Sequence, residues 1–117
     1  MPYFVSNLSG GRYSTSEVKT GEKWIDGKDI YRKVIDFGAL PNSTGKNVAH
    51  GATFDTLIGY RALCHYAGGD TWINAPLVSG DVMSGMVSIS ITSSNVYART
   101  WADRSMFTAK VIMEYTK

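Results

Sequence analysis

The stretch W-I-D-G-K-D-I-Y-R-K-V-I-D-F at positions 24–37 constrains the fold of this chain more than any other part of it. Asp26-Gly27 is a favoured turn dipeptide, because glycine lacks a Cβ and takes positive φ without a clash. Beyond the turn the side chains alternate. Ile30, Arg32, Val34 and Asp36 fall on one face of an extended strand, and Tyr31, Lys33, Ile35 and Phe37 on the other. Neither face is purely polar, so both sides of this strand are expected to meet protein, as in a subunit packed into an oligomer.

The same period of two recurs downstream. Val87, Ile89 and Ile91 alternate with Ser88, Ser90 and Thr92, and Ser93-Ser94-Asn95 leads into a partner strand at 96–100. The terminal run 107–115 places Phe107, Ala109, Val111, Met113 and Tyr115 on one face. Its other face carries Thr108, Lys110, Ile112 and Glu114. Residues 54–67 partly suit a helix through Phe54, Leu57, Ile58, Leu63 and Tyr66. Their alternation and Gly59, which weakens a helix by ~1 kcal/mol, favour a strand. Further short strands are expected at 18–24, from 47, and at 71–78, where Pro76 marks an edge or a strand end. Seven or eight strands at this turn spacing predict an all-β fold, an antiparallel β-sandwich or jelly-roll-like domain.

Composition narrows the function classes. At 117 residues the chain is one domain, expected to divide into a linker or shaft remnant at 1–16 and a sandwich at 17–117. Twelve basic and ten acidic side chains leave a formal charge of +2, and no basic run exceeds Arg32-Lys33, so no nucleic-acid partner is expected. No run reaches the ~18 apolar residues of a membrane span, and the N-terminus lacks a secretory h-region. No membrane insertion or secretion is expected. The one cysteine, Cys64, excludes an intrachain disulfide.

The hairpin motif, together with G-A-L-P-N at 38–42, V-A-H-G at 48–51 and D-R-S…A-K-V-I-M-E-Y-T-K at 103–117, resembles the C-terminal domain of bacteriophage tail fibres. The four segments occur in family order and span about a third of the chain. The resemblance implies a homotrimer at the distal end of a tail fibre, made in the host cytoplasm and carried on the virion. It also implies attachment to a bacterial surface glycan, capsule or lipopolysaccharide, by weak sites repeated over three subunits. The intervening residues 52–102 follow no fixed pattern, as expected of a region that carries receptor specificity.

Chemistry-bearing residues fit binding better than catalysis. Cys64 and His65 are neighbours whose side chains face opposite ways on a strand, so they form no dyad, and no G-x-S-x-G elbow occurs. The aspartates sit mostly at turns, where that residue is favoured anyway. His50 and His65 lack the spacing of a metal site, and His50 before Gly51 reads as a hydrogen-bonded turn residue. No catalytic residue, metal or cofactor is therefore expected.

Sugar rings stack their C–H faces on aromatic side chains while their hydroxyls need fixed polar partners. Tyr66, Asp70, Trp72 and Asn74 cluster near one turn, and Asn95, Tyr97, Arg99 and Trp101 follow a second. These eight are the candidate glycan contacts. Tyr97, Arg99 and Trp101 share a strand face and are equally open to a reading as subunit interface, or as core with Arg99 reaching outward. Two rival functions remain at this point: a purely structural trimerisation or capping module, and a glycan-cleaving enzyme.

Overall fold

The computed structural model describes residues 12–76 and 86–117. Among them are eight strands and no helix: β1 (Val18–Lys23), β2 (Asp29–Ala39), β3 (Gly45–Ala49), β4 (Leu57–Tyr66), β5 (Trp72–Ala75), β6 (Val87–Ile91), β7 (Asn95–Thr100) and β8 (Phe107–Tyr115). All pairings are antiparallel. One sheet has the order β1-β2-β8-β4-β5 and the other β3-β7-β6. The expected linker at 1–16 lies outside the described residues up to position 11, as do positions 77 and 78 of the expected strand at 71–78.

The Asp26-Gly27 hairpin forms, with three residues in its loop. Gly27 donates to the Trp24 carbonyl (2.9 Å) and Trp24 to that of Lys28 (2.9 Å). Gly27 takes φ +87°, and the Asp26 carboxylate accepts the Lys28 amide at 3.0 Å. The glycine closes a type I-like turn with a bulge, which carries the strand twist through the loop. Within residues 54–67, Leu57–Tyr66 form a strand, as the alternation predicted, and Pro76 directly follows the last residue of edge strand β5.

The two sheets bury their facing sides in one core. Ile35 and Phe37 of β2, Ala62 and Cys64 of β4, and Ala109, Val111, Met113 and Tyr115 of β8 meet Val87, Ile89, Val96 and Ala98 of the small sheet. The Tyr60 hydroxyl crosses between the layers to donate to the Ile89 carbonyl (3.1 Å). The result is a sandwich-like all-β fold of two unequal layers.

One register shift completes the core. Between Asp36 and Gly38 the pairing of β2 with β8 slips by one residue, with Gly38 at φ +81°. A slip of one residue inverts every later side chain. It turns Leu40, which an unbroken strand would have pointed outward, into the core, where it is 1% exposed. The loop after it is stitched to the segment before β8: Leu40 donates to Phe107, Arg104 to Pro41, and the Thr100 hydroxyl to Pro41 (2.9 Å).

The two-faced character of β2 has a local explanation. Its outer-face Ile30 is 8% exposed and Ile112, opposite Val34 on β8, is 9% exposed, both within a single chain. Arg32 is clamped there by Glu114 (2.8 Å) and lies 4.3 Å from the Tyr13 ring centroid. Burial of those residues therefore needs no second subunit, and the strand pattern no longer argues for one.

Candidate functional site

The pairing registers place the eight candidate residues on different surfaces. In β4, Ala62 and Cys64 face the core, so Arg61, Leu63 and His65 face outward. Opposite them in register stand Ile112, Lys110 and Thr108 of β8. Leu63 also pairs with Asn74 and His65 with Trp72 of β5. Trp72 and Asn74 thus belong to the outer face of the five-stranded sheet. Tyr66 does not: it stands on the inner side at the strand end, its ring 5.6 Å from that of Phe107 and over Gly68 and Gly69. Asp70 is exposed in the β4–β5 turn.

Trp72 is 63% exposed, and its ring rests on His65 with centroids 4.3 Å apart. A large aromatic held by a neighbouring ring, with one face left open, is a stacking platform with little conformational freedom to lose. Below it lies a cleft of about 370 Å³ walled by Leu63, His65, Trp72, Thr108 and Lys110. This cleft shares Leu63 and Lys110 with a second of about 360 Å³, lined also by Tyr13, Val34, Arg61 and Ile112. A third, of about 300 Å³, adjoins the second at Tyr13, Arg61 and Ile112. Together they make one shallow groove along the outer face.

The second cluster lies on the outer face of the other sheet. Val96, Ala98 and Thr100 are fully buried, so Asn95, Tyr97 and Arg99 face away from the core, as the alternation predicted. Their neighbours are small or polar. Tyr97 is flanked by Asn47 and Ser90, Arg99 by Gly45 and Ser88. The Tyr97 ring lies directly over Gly45, where any Cβ would collide with it. Arg99 sits 5.4 Å from the centroid of half-buried Trp101, and its Nε is buried without a hydrogen-bond partner among the described residues. Asn95 completes the β6–β7 turn, where its carbonyl accepts from Thr92 (2.8 Å).

This stripe is half-buried and flat, whereas the Trp72 face is grooved and carries an open ring. The eight residues therefore do not converge. Arg61, Leu63, His65, Thr108, Lys110 and Tyr13 were not singled out from sequence. For β4 and β8 the alternation could have shown which residues share a face. Nothing local shows that β8 lies between β2 and β4.

His50, Cys64 and Asp103 have structural settings. His50 is 2% exposed. Its Nδ1 accepts the Ala52 amide (3.0 Å), which leaves Nε2 to donate to the Thr92 carbonyl (2.9 Å). Cys64 is sealed in the core on the side opposite His65, and burial pushes its thiol up to about 11. Asp103 accepts from both the amide and the hydroxyl of Ser105 (2.9 and 2.6 Å), and those bonds hold it below the usual carboxylate range. Among the described residues no three His, Cys, Asp or Glu groups come together as metal ligands. Compared with known proteins, the chain matches no family model, no curated protein and no solved structure.

Proposed function

We propose that this chain is the receptor-binding tip of a bacteriophage tail fibre, a non-catalytic homotrimer that attaches to a bacterial surface glycan. The observation that carries the glycan reading is Trp72: an exposed ring, braced by His65, at the end of an outer-face groove with Asn74, Thr108 and Lys110 around it. Sugar recognition needs that combination of a flat apolar platform and fixed polar groups. The fibre context and the trimer rest on the resemblance of the segments at 24–51 and 103–117. Shallow clefts suit such a role, because avidity over three subunits multiplies a weak single-site affinity.

The structural-module reading draws on a different observation. Three of the four motif segments assemble into one frame, with β2 against β8 and the 38–42 loop bonded to 103–107, while the 48–51 segment ends β3 in the other sheet. A frame of that kind also suits a domain that only ends and trimerises a shaft. Light scattering coupled to gel filtration, followed by binding of the purified protein to host cells, separates the two. The proposed function requires a trimer of about three times 12.8 kDa that binds cells. A trimer that binds no cells is the capping module. A stable monomer contradicts the fibre-tip assembly. Polysaccharide shortened on incubation contradicts the absence of catalysis.

A further inference from the structure

We propose that the outer-face groove of the five-stranded sheet takes an acidic glycan, one bearing uronic acid carboxylates, with Arg61 as the residue that grips the acid. The inference rests on the glycan-binding reading and adds the charge of the ligand to it.

The charges on this face are unequally satisfied. Arg32 is committed to Glu114 at 2.8 Å with its side chain only 14% exposed. Lys110 approaches Asp36 at 3.4 Å, with both side chains open to water, a contact that contributes little in solvent. Arg61 is exposed and makes no ion pair among the described residues. It stands opposite Ile112 of β8 and, with Ile112 and Tyr13, lines two of the three adjoining clefts. The outward positions of the sheet thus carry three cationic side chains, Arg32, Arg61 and Lys110, against two carboxylates, Glu114 and Asp36, and Arg61, without an ion pair, lines the groove.

Register then fixes the distances between the groups. Arg61, Leu63 and His65 are successive outward positions on one strand, so Arg61 and His65 are separated by about 13 Å, at roughly 3.3 Å per residue. Lys110, opposite Leu63, lies midway, and Trp72 is level with His65. A chain of a few sugar rings laid along the groove would stack one ring on Trp72. Its acid groups would then meet Lys110 and Arg61 further along. A guanidinium holds a carboxylate through two parallel N–H···O bonds, which gives position as well as attraction.

The test uses the full chain and a panel of hexuronic-acid capsular polysaccharides, each paired with its carboxyl-reduced neutral form. Binding is measured for the unaltered protein, Arg61→Gln, Arg61→Lys and Trp72→Ala, with gel filtration of each. Acidic members should bind at least about tenfold more tightly than their reduced forms, weakening with salt. Arg61→Gln should lose about tenfold on the acidic forms and nothing on the reduced ones. Arg61→Lys should keep part of the preference, and Trp72→Ala should lose both forms.

Equal binding of acidic and reduced forms, unmoved by Arg61→Gln, overturns the acidic ligand and leaves glycan binding standing. Binding to no member in either form overturns both. A changed oligomeric state in Arg61→Gln assigns the face to a second copy of the chain and overturns the proposal.

Discussion

The two outer faces of this domain are built from the same kind of alternating strand and come out differently. On the small sheet, the central strand β7 sends Val96, Ala98 and Thr100 fully into the core and leaves Tyr97 and Arg99 among Gly45, Asn47, Ser88 and Ser90. Small neighbours let the ring lie down on the sheet, so the face is flat. On the large sheet, the central strand β8 buries its inner side throughout but only Ile112 on the outer one, where Thr108 and Lys110 stay exposed. There the long side chains stand up around a groove, and Trp72 projects at its end. A conspicuous aromatic-arginine pattern in sequence therefore marks the closed face. The open one is assembled from three strands, none of which announces it alone.

The largest effect that sharpens this contrast is energetic. Met113→Ala, in the centre of the core, is expected to cost about 2–5 kcal/mol in denaturant unfolding. Trp72→Ala is expected to stay within about 0.5 kcal/mol of the unaltered protein. A comparable loss for both would make Trp72 a structural residue and end the distinction between the faces.

Next in size is Gly45→Ala. A Cβ there collides with the Tyr97 ring, and the overpacking should cost about 1–3 kcal/mol. If the flat face depends on that contact, Tyr97→Ala in the same chain should recover most of the loss in a double-mutant cycle. Additive costs would mean the ring does not rest on Gly45.

A smaller effect is expected at the strap joining the start of edge strand β1 to the end of central strand β8. The Tyr115 hydroxyl donates to Glu17 (2.6 Å), and Lys117 donates to its other oxygen (2.9 Å). Burial alone would raise the Glu17 carboxyl, but these two bonds outweigh it and leave it below its ordinary 4.5. Burial first, and then Glu17, raise the Tyr115 phenol above its ordinary 10.0. A depressed acid stabilises above its unfolded value and loses that stability as pH falls through the folded one. A raised phenol does the reverse, losing it as pH climbs past 10.0. Stability should therefore be level between these limits and fall on both sides. Glu17→Gln should make the acid limb shallower, Asp103 still contributing to it, and an unchanged acid limb in that variant would remove the strap.

The least perturbing test is chemical. Cys64 is buried and its thiol is pushed up to about 11, so alkylation at pH 8 should be slow in the folded protein and fast in denaturant. Rapid labelling without denaturant would contradict the burial of the β4 inner face.

Much of the frame was legible in the sequence because strand alternation and turn chemistry are local. The Asp26-Gly27 hairpin, the strand character of 57–66, the β6–β7 hairpin and the bounds of β8 all follow from neighbours in sequence. The slip at Gly38 was not legible, since a bulge depends on the partner strand, and it decides the inward turn of Leu40. The groove was not legible for the same reason. Arg61, Lys110 and Trp72 share a face through the β8-β4-β5 pairing, a property of topology. Composition near a turn points to Trp72 and Asn74, and the register places them on the grooved face. It points equally to Tyr66, whose ring instead caps the end of the core against Phe107.

The most direct test of the account compares one substitution on each face, Trp72→Ala and Tyr97→Ala, for glycan and host-cell binding by folded protein of unchanged oligomeric state. With the site on the grooved face, Trp72→Ala abolishes measurable binding while Tyr97→Ala leaves it within about twofold, since stacking platforms dominate such sites and their surroundings do not. Binding lost in Tyr97→Ala and kept in Trp72→Ala would move the site to the three-stranded sheet and contradict the central claim.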